Sequence, residues 1–493
     1  MYRGKEWRGF IMKDIITASD YRKLKMLNIL FFAEKPLSKK ELTAAVECSL
    51  NTLKADVKLF NSTCPMEMAH IYEEDKRLFL KTAPDINFDF LQAYMITHSD
   101  LFVLSVSIFH NDKLTIPEWA EKNFISPASF YLKLKEIDTF LARSRLILKN
   151  KPLQIEGNEI NIRFYFSHLF IRSHPYSGWI SEEISFEQIN SFIQKFEAHM
   201  GVFFSISSRM EYAIAICVCL TRIKQGYAAE LSPVEKSTID DIYKYYHAEN
   251  IDFNDLDAFL DEPMSLIERY TILNISFLCS FTDISLDRIK FRIDYHKKFR
   301  KQRFALAEDI LTLLDGRIQE YDTIKLAILD YLTRFTFVKK TNLILDVDHF
   351  SKKFYPDVIT MEMIMQKLQK YERHPDYLFV RDNKKVISTY LHDLFNVSLM
   401  NELFTRRLHV KVISKSGFLW EEYLKGQIRQ HYSEEYLIFC EELDPKEHMP
   451  QYDLIISDSH VELPSKTKVL VWHVPPTKRD FSQLGEIIEA RKV

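Results

Sequence analysis

The sequence predicts a multidomain, mainly α-helical protein, and three observations lead to that prediction. Glycine is scarce, at 10 of 493 residues, which is about 2% against a usual value of about 7%. Apolar residues recur at helical spacing along most of the chain. At about 100–200 residues per domain, the length predicts several domains. The hydrophobic share of 46% supplies each of them with a core.

The charge balance limits the classes of partner. Lys and Arg number 66 against 69 Asp and Glu, a net charge of -3, which excludes a uniformly basic nucleic-acid coat or a polybasic membrane binder. The uncharged stretches 101–111 and 270–282 are shorter than the ~18–20 apolar residues of a membrane span. The N-terminus is too charged for a secretory signal. We therefore expect a cytoplasmic protein with no membrane partner.

The cysteines predict neither a metal site nor a disulfide framework. They include no C-x-x-C pair and no Cys/His cluster at zinc spacing, and they are Cys48, Cys64, Cys217, Cys219, Cys279 and Cys440. We interpret them as reduced core residues. No cofactor is expected.

Residues 19–82 have the pattern of two short helices followed by a strand pair. Ser38 and Glu41 predict a capping box at the start of a helix over 39–46, and a second amphipathic helix follows over 50–60. Strand patterns at 70–72 and 78–80 flank a charged turn. This arrangement is typical of a winged helix-turn-helix. Residues 1–82 hold 15 Lys and Arg against 11 Asp and Glu.

The same pattern returns over residues 114–157. A helix begins at Thr115, a second helix is predicted over 126–141, and a strand pair over 145–157 follows. The predicted inner face of the second helix is Phe130, Leu134, Ile137 and Leu141. Residues 113–152 hold eight Lys and Arg against four Asp and Glu. One such unit could be merely a small helical domain, but two basic units in tandem favour double-stranded DNA as a partner.

The rest of the chain divides into a helical part and a β/α part. Residues 162–400 are almost wholly helical in pattern and carry no catalytic signature, so they predict a pair of helical bundles. Strand patterns then alternate with helical stretches, and the strands are expected at 409–413, 436–439, 453–456 and 469–472. Continuous apolar strands separated by helices predict a small parallel sheet covered on both faces.

This order of domains resembles the Mga/AtxA family, which are PRD-containing virulence regulators of Gram-positive bacteria. Residues 124–135 (FISPASFYLKLK) and 152–157 (PLQIEG) carry the most specific likeness, to the family's second helix-turn-helix and its wing. The resemblance implies winged helix-turn-helix domains at 1–85 and 86–160, PRD-like helical domains at 161–285 and 286–402, and an EIIB-like α/β domain at 403–493.

The resemblance also implies a function. Its members are DNA-binding transcriptional regulators, so a global or virulence-type activator is expected. Phosphocarrier proteins of the sugar phosphotransferase system (PTS) would phosphorylate PRD histidines, with His168, His199 and His392 as candidates. The C-terminal domain would form a homodimer. In EIIB enzymes a Cys ends the first strand, whereas Ser414 stands here, so no enzyme activity is expected.

Our hypothesis places the helices at 50–61 and 126–141 in or near major grooves of DNA. Lysines would neutralise phosphates, and small polar or aromatic residues would contact base edges or backbone. The candidate contacts are Asn51, Thr52, Lys54, Lys58, Ser126, Ser129, Tyr131, Lys133 and Lys135. Two alternatives are a PTS-controlled RNA-binding antiterminator, which would place a small β-rich domain in front, and a PTS phosphotransferase component.

Overall fold

The computed structural model describes residues 18–33, 35–143, 145–231, 236, 243–314, 317–318, 321–341, 358–405, 407–432, 436–440, 452–459 and 467–491. These residues form two compact units. The first comprises residues up to 307 together with 325–341 and 371–386, and the second comprises the remaining described residues from 308 onward.

The helices and the strand pair predicted over residues 19–82 are present. The elements of this first helix-turn-helix are α1 (Ala18–Phe31), β1 (Leu37–Ser38), α2 (Lys39–Val46), α3 (Leu50–Thr63), β2 (Ala69–Glu74) and β3 (Arg77–Thr82). The capping box at α2 is present, because the Ser38 N–H donates to Glu41 Oε2 at 2.8 Å and the Glu41 N–H donates to Ser38 Oγ at 3.2 Å. The strands form an antiparallel sheet in the order β1-β3-β2.

Helix α3 is held to its surroundings by polar contacts as well as by its apolar face. Asp56 is buried and accepts two hydrogen bonds from the Arg22 guanidinium of α1, at 2.7 and 3.0 Å. Asn61 donates to the carbonyl of Ile71 at 2.8 Å and accepts from the Ile71 N–H at 2.9 Å. These two bonds join α3 to strand β2. The amphipathic pattern of 50–60 would place Leu50 on the apolar face, but this residue lies in the first turn of α3, next to the capping Ser49, and is 46% exposed.

The second helix-turn-helix shares a core with the first. Its elements are α4 (Phe88–Thr97), α5 (Asp100–Phe109), α6 (Ile116–Lys122), α7 (Pro127–Arg143), β4 (Ile147–Asn150) and β5 (Leu153–Glu156). Helix α8 (Glu159–Ser177) follows and crosses the domain boundary expected between 160 and 161. Buried residues from Leu24 to Phe170 form one continuous cluster. The two helix-turn-helices and the first half of α8 therefore pack around a single core.

The helical part of the first unit has a core of its own. The buried residues of this core run from Ile184 to Tyr295. The elements of the helical part are α9 (Phe186–Met200), β6 (Val202–Phe204), α10 (Ile206–Lys224), α11 (Asn254–Asp257), α12 (Leu266–Ile275), β7 (Phe281–Asp283), α13 (Leu286–Phe299), α14 (Lys301–Leu311) and α15 (Tyr321–Thr341). The end of α14 from residue 308 and the start of α15 up to residue 324 belong to the second unit. Strands β6 and β7 pair antiparallel. The sequence did not predict this pair because each strand has only three residues.

The second unit contains the predicted parallel sheet. Helices α16 (Met361–Gln369) and the later part of α17 (Leu378–Thr405) precede β8 (Leu408–Ile413), α18 (Phe418–His431), β9 (Leu437–Phe439), β10 (Leu454–Ser457), β11 (Lys468–Val471) and α19 (Lys478–Arg491). The four strands are parallel, in the order β11-β10-β8-β9. Every residue of β10 is buried, whereas the edge strands β9 and β11 are partly exposed.

The cysteines are all free thiols, and most are buried. Cys64, Cys217, Cys219 and Cys279 lie in the core, whereas Cys48 and Cys440 are half-buried. Within the described ranges, no helix is long and apolar enough to cross a membrane.

Replacing Asn61 with Ala is expected to loosen the wing of the first helix-turn-helix. The substitution leaves the buried backbone groups of Ile71 without their partner on α3, at a cost of about 1–3 kcal/mol. Hydrogen–deuterium exchange of peptides covering β2 and β3 should accelerate by roughly 5- to 100-fold.

The matched control is Asn51→Ala, which removes an exposed asparagine from the same helix. It should leave the exchange of these strands unchanged. Equal exchange in the two variants would show that the Asn61 bonds do not hold the wing.

Candidate nucleic-acid interface

The second helices of the two helix-turn-helices are α3 and α7, and they begin in the same way. The Ser49 hydroxyl accepts the N–H of Thr52 at 3.1 Å, and the Ser126 hydroxyl accepts the N–H of Ser129 at 3.2 Å. A serine that accepts the N–H three residues on caps a helix start. Ser49 and Ser126 therefore define a common first position, from which the two helices can be compared residue by residue.

In this common register two buried positions coincide. The fourth residue after the serine is Leu53 in α3 and Phe130 in α7, and both are at most 1% exposed. The eleventh is Phe60 or Ile137, also buried. Phe130 stacks on Trp119 of α6 with ring centroids 4.2 Å apart. The predicted inner face of α7 is confirmed, since Leu134 and Leu141 are buried too.

Three of the four candidate contacts on α3 face solvent. Asn51, Lys54 and Lys58 are exposed. Thr52 is half-buried, and its hydroxyl lies 2.8 Å from the Ser49 hydroxyl. Thr52 therefore contributes to the cap, which leaves its hydroxyl less suited to reading a base.

The candidates on α7 divide in a similar way. Ser129, Tyr131 and Lys135 are exposed, Tyr131 by 51%. Ser126 is exposed but its hydroxyl holds the cap. Lys133 lies on α7, and its side chain falls outside the described residues. The lysines at the ninth position, Lys58 and Lys135, are equivalent in the two helices.

The residues expected to face the groove on α7 include two that were not selected from the sequence. Ala128 and Leu132 are exposed, Leu132 by 75%. They occupy the positions of Asn51 and Ala55 in α3, and Tyr131 occupies that of Lys54. The alignment at the capping serines, which the hydrogen bonds of Ser49 and Ser126 establish, identifies both residues.

The three candidate histidines differ in their surroundings. His168 of α8 accepts a hydrogen bond from Arg172 Nε to its Nε2 at 3.0 Å, and burial, with the nearby Arg172 charge, lowers its pKa to about 3. His199 lies half-buried in the last turn of α9, where its Nε2 is 3.0 Å from the Tyr246 carbonyl. His392 is 7% exposed, with its Nδ1 3.1 Å from Asp393 Oδ1.

The loop that follows β8 is closed by the chain's own carboxylates. The N–H groups of Ser414 and Lys415 donate to Glu421 at 3.2 Å and to Asp458 at 2.9 Å. The Ser414 hydroxyl also donates to Asp458, at 2.7 Å. Burial opposes ionisation of Asp458, but these hydrogen bonds outweigh it and lower the pKa of the carboxyl. An anionic ligand would meet negative charge at this position.

Comparison with known proteins identifies the second helix-turn-helix. Residues 84–170 match the model of the Mga helix-turn-helix domain, a range that contains α4 to α7, the β4–β5 hairpin and the first part of α8. The chain is 20% identical to the capsule synthesis positive regulator AcpA of Bacillus anthracis over 427 residues, which cover 84% of this chain and 86% of AcpA.

Two further relatives come from Bacillus anthracis. The capsule synthesis positive regulator AcpB is 21% identical over 497 residues, covering 94% of this chain and 97% of AcpB. The anthrax toxin expression trans-acting positive regulator is 22% identical over 493 residues, covering 94% and 98% of the two chains. This chain therefore carries an Mga helix-turn-helix domain and is a homologue, along most of its length, of positive regulators from a Gram-positive bacterium.

Proposed function

We propose that this protein is a DNA-binding transcriptional activator of the virulence-regulator type. Each chain would have two DNA-binding heads, which are the helix-turn-helices at 1–85 and 86–160. The observation that carries the proposal is the common register of α3 and α7. Each helix begins at a capping serine, buries its fourth and eleventh positions and presents a lysine at the ninth position, Lys58 or Lys135. Two helices that share this design suit two successive contacts with one duplex.

The charge of the heads supports DNA as the partner. Residues 1–82 and residues 113–152 each carry four more basic than acidic residues, although the whole chain has a net charge of -3. Most of the affinity would come from phosphate contacts, which position the protein without reading sequence. The polar residues Asn51 and Ser129 would contact base edges or backbone.

We infer that His199 is the candidate phosphorylation site with the most suitable geometry. Its Nε2 donates to the Tyr246 carbonyl, which leaves the Nδ1 lone pair for a phosphoryl group. At His168 the Nε2 lone pair is engaged by Arg172, and His392 is buried. General phosphocarriers of the PTS would be the donors.

A charge added at His199 would act on α9, which an ion pair joins to α10. Glu197, two residues earlier, accepts from the Arg209 guanidinium of α10 at 2.7 and 2.8 Å. Helix α10 also carries Arg222, which binds Glu159 of α8 at 2.8 and 2.9 Å. Because the first half of α8 belongs to the core of the heads, this series of contacts would transmit the effect of phosphorylation.

We also propose that the C-terminal domain joins two chains into a homodimer. The start of α18 exposes the apolar residues Phe418, Leu419, Trp420 and Tyr423, of which Leu419 is 81% exposed. A cluster of exposed aromatic and aliphatic residues on one helix is typical of an interface. The loop at Ser414 binds the carboxylates of Glu421 and Asp458, which favours this binding role over phosphoryl transfer. A dimer would hold two pairs of heads at a fixed spacing.

Loss of Lys58 or Lys135 is expected to weaken DNA binding and reduce its salt dependence. Each Lys→Ala substitution removes one phosphate contact, so the slope of log affinity against log salt should fall by about 0.9 per lysine. The measurement is a gel shift of upstream DNA fragments at several salt concentrations.

Lys297→Ala removes an exposed lysine from α13 in the helical part and is the matched control. It should leave the slope unchanged. Unaltered, salt-sensitive binding in the Lys58 and Lys135 variants would refute the assignment of these helices. Preference for RNA over DNA would instead support the antiterminator alternative.

Incubation with the general PTS phosphocarriers and labelled phosphoenolpyruvate is expected to label His199. The variant His199→Ala should lose most of the label because the acceptor nitrogen is removed. His247→Ala is the control, since His247 has a side chain that is 71% exposed. Full labelling of the His199 variant would contradict the site, and onward transfer to sugar would reveal an enzyme.

Leu419→Lys is expected to weaken self-association by roughly 30-fold or more if the start of α18 is central to the dimer. Sedimentation velocity over a range of protein concentrations measures this change. The matched control is Leu266→Lys, because Leu266 is a leucine of α12 that is 47% exposed. Equal self-association of both variants would place the dimer interface elsewhere.

A further inference from the structure

The groove-facing surface of the second head differs in chemistry from that of the first. In the common register, α3 presents Asn51, Lys54 and Ala55 where α7 presents Ala128, Tyr131 and Leu132. The amide of Asn51 is thus replaced by a methyl group, the ammonium of Lys54 by a phenol, and the methyl of Ala55 by an isobutyl group. At these three positions the two helices therefore present different groups to DNA.

Leu132 is the residue that most needs an explanation. Its side chain is 75% exposed, and nothing about the fold of α7 requires a leucine there, because the helix buries Phe130, Leu134 and Ile137 instead. At helical spacing, Ala128, Leu132 and Lys135 follow one another along one face. Along this face of α7 the leucine therefore lies between a methyl group and a cation.

The major groove offers one apolar group, the C5-methyl of thymine. A leucine has no polar atom, so a methyl group is the only base substituent in that groove with which it can make a favourable contact. Lys135, one turn further along α7, supplies the positive charge that would hold the helix against the phosphates.

We propose that the second head recognises thymine through contact of Leu132 with C5-methyl groups, and that the first head reads hydrogen-bonding groups instead. This inference rests on the proposed DNA-binding function. Leu132 was not among the candidate contacts selected from the sequence, and it would give α7 a preference for thymine.

The test uses the full chain and two forms of one DNA pool. Duplexes selected for binding from random sequence are copied once with thymidine and once with deoxyuridine, which lacks only the C5-methyl group. Removing a contacted methyl group should weaken binding by about 4-fold per thymine, since a buried CH₂ contributes about 0.8 kcal/mol. The Leu132→Ala variant should bind the thymine pool more weakly and bind both pools equally.

The control Leu266→Ala removes an exposed leucine from the helical part and should keep the wild-type preference for thymine. Equal binding of the two pools by the wild-type chain would overturn the inference while leaving DNA binding intact. The same loss in Leu132→Ala as in the wild type would also overturn it, because the effect would then come from DNA shape. Failure to bind either pool would refute the proposed function together with this inference.

Discussion

The burial of one face of α3 and of α7 in a single core is the constraint on which the rest of the molecule depends. Leu53 and Phe60 in one helix, and Phe130 and Ile137 in the other, are fixed by packing. Because a helix turns by about 100° per residue, fixing these positions also fixes which side chains face outward. The capping serines set where the count begins, so Lys58 and Lys135 reach equivalent places.

Helix α8 connects this core with the helical part of the first unit. Phe166 lies within the shared core of the two helix-turn-helices. Arg163 on the same helix forms a bidentate ion pair with Glu268 of α12 and also donates to Glu159. Arg163 and Glu268 are both buried, and removing one partner of such a pair costs about 3–5 kcal/mol. A displacement of α12 would therefore act on the heads through α8 rather than be absorbed at a flexible joint.

Much of this architecture could be predicted from the sequence, and the reasons are local. The capping box at Ser38, the apolar spacing of α7 and the continuous apolar strands of the C-terminal sheet are short-range signals, and all three are present. Features that depend on distant partners were missed. The β6–β7 pair joins residues about 80 positions apart, and Asp56 is buried because Arg22 from another helix neutralises it.

The candidate site shows the same division. Exposure of Asn51, Lys54 and Lys58 follows from helical periodicity. The cap at Ser126 follows from hydrogen bonds that only the backbone geometry reveals, as does the engagement of the Thr52 hydroxyl. The surroundings of the histidines were also beyond the sequence, since the partners of His168 and His199 are an arginine one turn away and a backbone carbonyl 47 residues away.

The central claim is that α3 and α7 each bind in a major groove of DNA. A dimethyl sulfate footprint of the full chain on DNA recovered by genome-wide mapping tests this claim most directly. This reagent methylates guanine N7 in the major groove and adenine N3 in the minor groove, so it reports which groove the protein occupies. Two helices in major grooves predict protection of guanine N7 in two separate segments for each chain. Protection of adenine N3 alone, or of a single guanine segment, would contradict it.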